Sequence, residues 1–326
     1  MPARTGAIDR TVELPIDGSL QKIRMCGDRH GLPPLLVVQA GPGFPLLHEV
    51  ARFRKRLKLE RDFLTCYWDQ RGCGAATRHD AESVSSRRQV DDLCEVLRWL
   101  NAETGAKVIV LAVSLGATFA LQAAEREPGS FAFIAAISPD AQARESDASA
   151  AAFLRARSAK DTRLQARLAK LGEPPYLDPS KFQLRARLLA DLGSIESGKR
   201  FGSLLRETLF GLVASYGLFG TARALNNMDR IQRRILPELT TLDLVANPPR
   251  PKVPVHFVFG EEDALVPGAT ASRLAAAIPD ARNTSVRVPG AGHLVHFDHP
   301  EVVRSILLKE SKSARGGELE AAGSSR

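Results

Sequence analysis

The chain has 326 residues, 44% hydrophobic and 25% charged, with 25 Gly and 20 Pro. That composition excludes a disordered, collagen-like or coiled-coil polypeptide, and the length can bury a sizeable core. Lys and Arg number 45 against 37 Asp and Glu; with no compact basic block to hold the excess, nucleic acid is not an expected partner. Cys26, Cys66, Cys73 and Cys94 form no C-x-x-C pair and no zinc spacing, and read as reduced thiols of a cytoplasmic protein. No apolar run follows Met1, so no signal peptide is expected. The uncharged stretch Val108 to Ala124 is short for a membrane span and is interrupted by Ser114-Leu115-Gly116. It reads as a buried strand feeding a buried helix, and no membrane partner is expected.

In chain order, Thr11 to Ile16 and Gln21 to Cys26 form an expected hairpin about Asp17-Gly18. Leu35 to Gln39 is a short apolar run ended by Gly41-Pro42-Gly43; Leu46 to Leu57 has helical spacing, and Phe63 to Trp68 reads as a buried strand. Between Arg87 and Asn101, apolar residues recur at Val90, Leu93, Cys94, Leu97 and Leu100, the face of one helix. Lys107 to Val113 and Phe131 to Ile137 are too apolar for a one-sided sheet and belong in a parallel sheet covered on both faces.

After Ser138-Pro139-Asp140 the style changes. Residues 140–250 are rich in Ala, Arg and Leu at helical spacing (Leu164, Leu168, Leu171), with no convincing strand, and read as an inserted helical cap. The basic side chains Arg155, Arg157, Lys160, Arg163 and Arg167 read as its solvated face. The strand–helix rhythm returns with Val253 to Phe259, a helix near Thr270 to Ile278, Thr284 to Val288, and a helix from Pro300 to Lys309. The expectation is an α/β fold whose core comprises residues 1–139 and 251–310, with a mostly parallel sheet flanked by helices, a cap over 140–250 and a disordered tail over 311–326.

Chemistry concentrates at Ala112-Val113-Ser114-Leu115-Gly116, a serine at a sharp strand-to-helix turn with small residues at −2 and +2. Such a turn strains the serine backbone, lifts its Oγ clear of the sheet and aims the next N–H at a substrate. Three further signals accompany it. Gly41-Pro42-Gly43 offers backbone N–H groups for half of an oxyanion hole. Gly260-Glu261-Glu262-Asp263 places acids on a loop after a buried strand, and Pro289-Gly290-Ala291-Gly292-His293 places a histidine on a glycine-rich loop before the last helix. Serine, acid, histidine is the chain order of the α/β-hydrolase triad.

On these motifs the sequence resembles an α/β-hydrolase of the proline iminopeptidase type over nearly all of residues 10–310. That family's H-G-G-P-G stands here as Gln39-Ala40-Gly41-Pro42-Gly43, and its D-Q-R-G-x-G-x-S as Asp69 through Ala76, without the final Ser. The resemblance implies Ser114 as nucleophile, His293 as base, Asp263 as its orienting acid, and oxyanion donors at the N–H groups of Leu115 and Gly41. Pro42 has no N–H to give. Glu262 and Asp140 compete for the acid's role. Asp69 and Arg71 are expected to hold the loop beside the site through hydrogen bonds.

The family reads its substrate's amine with acids in a tryptophan-rich cap, whereas Trp68 and Trp99 here both precede the cap. The expected enzyme is therefore a cofactor-independent serine hydrolase of an ester, lactone or amide in a small molecule or short peptide. Its alternatives are a true prolyl aminopeptidase and a ligand-binding sensor on the same scaffold. The apolar cap stretch from Phe201 to Gly220 is expected to wall the substrate pocket through Phe210, Tyr216 and Phe219, with Glu207 as a nearby acid. His256 reads as a core residue, and the spacing of His293, His296 and His299 is not expected to hold a metal. Cys73, between two glycines, would be a nucleophile only with a histidine partner and a lowered pKa, and with Ser114 available it is not expected to be one.

Overall fold

A computed structural model describes residues 6–74, 76–280 and 282–323; Ala75 of the Asp69–Ala76 motif and the last three residues of the tail lie outside this range. The first half contains β1 (Ile8–Ile16), β2 (Ser19–Gly27), β3 (Pro34–Val38), α1 (Val50–Arg56), β4 (Leu64–Asp69), α2 (Arg78–Glu82), α3 (Ser86–Thr104), β5 (Val108–Val113), α4 (Leu115–Arg126) and β6 (Phe131–Ile137). Helices α5 (Ala143–Ser158), α6 (Thr162–Leu171), α7 (Pro179–Asp191) and α8 (Phe201–Leu239) follow without a strand. Then come β7 (Val255–Gly260), α9 (Gly268–Ala277), β8 (Thr284–Val288), α10 (Val295–Asp298) and α11 (Pro300–Gly323).

The strands form one eight-stranded sheet in the order β1-β2-β4-β3-β5-β6-β7-β8. The β1–β2 and β2–β4 pairs are antiparallel, and every other pair is parallel. Asp17 (φ 42°) and Gly18 (φ 74°) turn the β1–β2 hairpin with both central residues left-handed, the twist that a two-residue hairpin favours. β5 alternates cleanly between two cores: Val108, Val110 and Ala112 pack with α3, α4 and the end of α8, while Ile109, Leu111 and Val113 pack with α1, α10 and α11. Both faces are therefore apolar, which is why the strand carries no polar residue.

Helix ends follow local chemistry. Ser85 caps α3 by accepting from Arg88 N (3.1 Å), and Gly105 (φ 67°) ends it. Helices α5 to α7 hold a small apolar cluster of their own around Leu154, Leu171 and Leu188. Helix α8 breaks at Gly217, whose φ of 66° and ψ of 179° are not helical. Helix α11 continues to Gly323, through residues whose composition predicts a disordered tail. Val303, Leu307 and Ser311 lie buried along it, and that seam carries the helix past Lys309. Among the described residues no helix is long and apolar enough to cross a membrane.

The loop after β4 is pinned by Arg71, whose Nε and Nη2 donate to Asp92 Oδ2 and Oδ1 at 2.6 and 2.9 Å. Gln21 donates to the same carboxylate (2.8 Å) and accepts from Trp68 Nε1 (2.9 Å), so the buried charges sit in a filled hydrogen-bond network. Removing one partner strands the other charge. Asp92→Ala is expected to lower the unfolding free energy by about 3–5 kcal/mol, and Arg71→Met/Asp92→Leu by less, as read from urea denaturation curves.

Candidate active site

Ser114 occupies the turn between β5 and α4 with φ 53° and ψ −122°, a conformation that a side-chain-bearing residue adopts only when its surroundings impose it. Its N–H donates to Ile137 O (2.7 Å) on the neighbouring strand, and its carbonyl accepts from Ala117 N (2.9 Å). The small residue at +2 is a steric requirement. A Cβ on Gly116 would lie 2.4 Å from Gln39 O and 2.7 Å from Val38 O. Leu115, the first residue of α4, has no carbonyl four residues back within the helix, so its N–H stands free of the helical ladder.

The acid and histidine loops meet at the far ends of β7 and β8. A Cβ on Gly260 would stand 2.1 Å from Gly292 O, so only glycine allows these two loops to touch. Asp263 Oδ1 accepts from the N–H groups of Leu265 and Val266, both at 2.9 Å. Its Oδ2 is left to face His293 Nδ1 at 2.8 Å. Both side chains are buried. With Nδ1 engaged by the carboxylate, Nε2 is the nitrogen available to accept a proton. Of the rival acids, Glu262 is exposed, and Asp140 Oδ1 accepts from Ser146 Oγ (2.8 Å). Burial pushes the Asp140 carboxyl above its ordinary pKa.

Gln39, where the resemblance places a histidine, organises the Gly41 loop. Its Oε1 accepts from Ala40 N (2.9 Å), and its Nε2 donates to Glu49 Oε2 (3.0 Å). The Ala40 N–H is thereby occupied, and Gly41, at φ 63°, follows it into the wall of the central cavity. Asp69 ties this loop to the helices above. Its Oδ1 accepts from Leu46 N (2.6 Å) and Leu47 N (2.9 Å), and its Oδ2 from the Tyr216 hydroxyl (2.6 Å). Burial nevertheless pushes the Asp69 carboxyl up, because those donors only partly replace water.

Ser114, Leu115, Gly41, His293 and Asp140 all line one cavity of about 480 Å³ between the sheet and helices α7 and α8. The four pocket candidates read from sequence do not line it. Phe210 and Phe219 are 78% and 93% exposed, Tyr216 is spent on Asp69, and Glu207 is exposed and paired with Lys199 (2.6 Å). The cause is helical phase. Phe201, Leu205, Leu209 and Leu212 recur at steps of three and four toward the cavity, and Phe210, one residue on from Leu209, points away. Sequence reasoning also missed a polar group in the wall, Asp147, Tyr176 and Arg185. Arg185 is one of two arginines in α7, beside Arg187, and nothing in the sequence pattern singles it out.

His293, His296 and His299 diverge. His296 is buried and stacked on Phe53 at 5.4 Å, its pKa pushed well below the ordinary value by burial, while His299 faces Glu301 at the surface. Among the described residues no group of three His, Cys, Asp or Glu side chains could hold a metal ion. His256 is buried in β7, with Nδ1 2.9 Å from Thr284 Oγ1.

The chain belongs to the alpha/beta hydrolase family, which it matches over residues 30–306. It is 24% identical over 308 residues to a probable aminopeptidase of Bacillus subtilis (strain 168), covering 92% of this chain and 95% of that one. Among solved structures it resembles a proline iminopeptidase of Mycobacterium smegmatis with a TM-score of 0.67, at 21% identity over 96% of this chain and 100% of that one. A proline iminopeptidase-related protein of Thermus thermophilus superposes with a TM-score of 0.63, at 19% identity over 93% of this chain and 97% of that one.

Two expectations follow from the geometry. Gly116→Ala should lower the melting temperature and any turnover together, whereas Gly129→Ala, where a Cβ meets nothing within 4 Å, should do neither. Burial pushes the thiols of Cys26 and Cys94 up to about 11 and that of Cys73 well above its ordinary value. Native protein treated with iodoacetamide near neutral pH should therefore show no adduct by mass spectrometry until urea is added. A native adduct at Cys73 would contradict its burial.

Proposed function

We propose that this hydrolase cleaves an ester, lactone or amide bond through an acyl-enzyme on Ser114. The observation that carries the reading is the strained turn of Ser114 opening into the same cavity as His293, whose Nδ1 is 2.8 Å from Asp263 Oδ2. In the proposed reaction Ser114 Oγ attacks the carbonyl carbon and passes its proton to His293 Nε2, while Asp263 holds the imidazole and balances the charge it gains. The N–H groups of Leu115 and Gly41 receive the tetrahedral oxyanion. Collapse expels the leaving group with the histidine's proton, and water then releases the acyl group by the same route. Residues 140–250 act as the cap, with α7 and α8 forming the roof over the acyl group. We place the enzyme in the cytoplasm, in keeping with four free and buried cysteines.

The roof favours an apolar acyl group, since Phe201, Leu205, Leu209 and Leu212 offer it area to bury. The cap acids that could read a substrate amine are already matched. Glu196 pairs with Arg52 and with Lys199 (3.1 Å), and Lys199 also holds Glu207. The second reading, an N-terminal aminopeptidase, draws on the names of the relatives and on Asp140, a carboxyl in the cavity wall whose partner is the neutral Ser146 hydroxyl. A third, a ligand-binding sensor, predicts no turnover.

A screen of aryl esters, lactones and amino-acid arylamides, with Ser114→Ala as blank, separates the three. Aryl and medium-chain esters should be cleaved at least as well as a prolyl arylamide, and Glu207→Gln should leave ester turnover unchanged. Efficient release from the prolyl arylamide, lost in Asp140→Asn, would favour the aminopeptidase. Ser114→Ala should lose on the order of 10⁴ to 10⁶ in kcat, and a fluorophosphonate should label Ser114 in the parent protein. Asp263→Asn should cost several powers of ten while Asp140→Asn leaves ester turnover nearly intact. The reverse pattern would move the acid to Asp140.

A further inference from the structure

One part of the cavity wall is polar, and its hydrogen bonds do not close. Asp147, Tyr176 and Arg185 are all buried there beside Asp140. Both oxygens of Asp147 have a donor: its Oδ1 accepts from Arg185 Nη1, and its Oδ2 accepts from Tyr176 N (2.8 Å). Arg185, only 4% exposed, is the open member. Its guanidinium lies 4.9 Å from the centre of the Phe182 ring, and its Nε makes no hydrogen bond within the protein. A buried guanidinium N–H without an acceptor is unfavourable, and pairing Asp147 required only one of the five donors that the group carries. Arg185 lines the same cavity as Ser114 and His293, with most of its donors unspent on the protein.

We propose that Arg185 determines specificity by donating from its guanidinium to an oxygen acceptor, a carbonyl or a carboxylate, on the acyl part of the substrate. The inference deepens the hydrolase reading, since it names what the acyl chain must carry. The rest of the wall agrees with it. The apolar side chains of α8 that line the same cavity suit methylene groups. Arg185 and Asp147 already balance each other's charge, so a neutral oxygen adds none. Asp140 lies within the field of Arg185 as well. A purely structural Arg185–Asp147 pair predicts no preference among acyl chains.

The test is titration calorimetry on Ser114→Ala protein with N-phenylhexanamide, its keto analogues with the carbonyl moved along the chain, and glutaric monoanilide. At least one oxygen-bearing anilide should bind about tenfold more tightly than N-phenylhexanamide. The gain should shrink to about twofold or less when Asp147→Leu/Arg185→Met is added, a change that removes both charges and leaves neither stranded. Should that variant fail to fold by circular dichroism, Arg185→Lys keeps the charge and loses the planar edge, and the gain should fall there too. Equal binding of all chains, or a gain that survives in the variants, overturns the proposal. Matching aryl esters with the parent protein keep the two readings apart. Turnover without an acyl preference sinks the role of Arg185 alone, whereas a binding preference without Ser114-dependent turnover sinks the hydrolase reading alone.

Discussion

The carbonyl oxygens of Val38 and Gln39 lie 2.7 and 2.4 Å from where a Cβ on Gly116 would stand, and the candidate site is arranged around that contact. It lets the start of α4 press against the end of β3. The chain between β5 and α4 must then turn within one residue, and Ser114 takes the strain at φ 53°. The same contact brings Leu115 N–H and the Gly41 loop to one side of the serine, because Gln39 immediately precedes that loop. A larger residue at 116 would separate the two halves of the proposed oxyanion hole as well as the helix from the strand.

The helices above the sheet are held to the loops that carry the site. Tyr216 donates to Asp69, Asn227 Nδ2 to Ala76 O (2.9 Å), Gln232 Nε2 to Pro42 O (3.3 Å), and His293 N to Ser194 O (2.9 Å). Every one of these bonds joins α8, or the segment that precedes it, to a strand end or loop at the carboxyl end of the sheet. Asp69 is the hub, since one carboxylate joins the loop after β4, the start of the Leu46–Leu47 turn and α8. Roof and floor of the cavity are thus positioned by a common set of polar contacts, and the apolar surface between them is left for a ligand.

The division of charge follows from burial. Acids near the cavity that have a cation within reach are neutralised, as with Glu196 by Arg52 and Asp147 by Arg185. Asp263 is stabilised instead by two backbone N–H groups and spends its remaining oxygen on His293. Asp140 has a hydroxyl partner, and burial shifts it toward the neutral acid.

The sequence by itself determined the sheet and its chemistry-bearing turns. Period-two and all-apolar runs mark strands whatever lies around them, and the residues flanking Ser114 and the glycines before His293 are local requirements of tight backbone geometry. It also placed the change of style after Asp140, where strands give way to α5–α8. The wall of the cavity was decided only by tertiary structure. Phe210 and Leu209 are neighbours of similar apolarity, and which of them faces inward depends on how α8 is rotated by its contacts with the Asp69 loop and by the break at Gly217. Arg185 and Arg187 are likewise indistinguishable as letters. Only the packing of α7 against α5 buries the first beside Asp147, because a long-range pairing of opposite charges leaves no periodic trace in either helix.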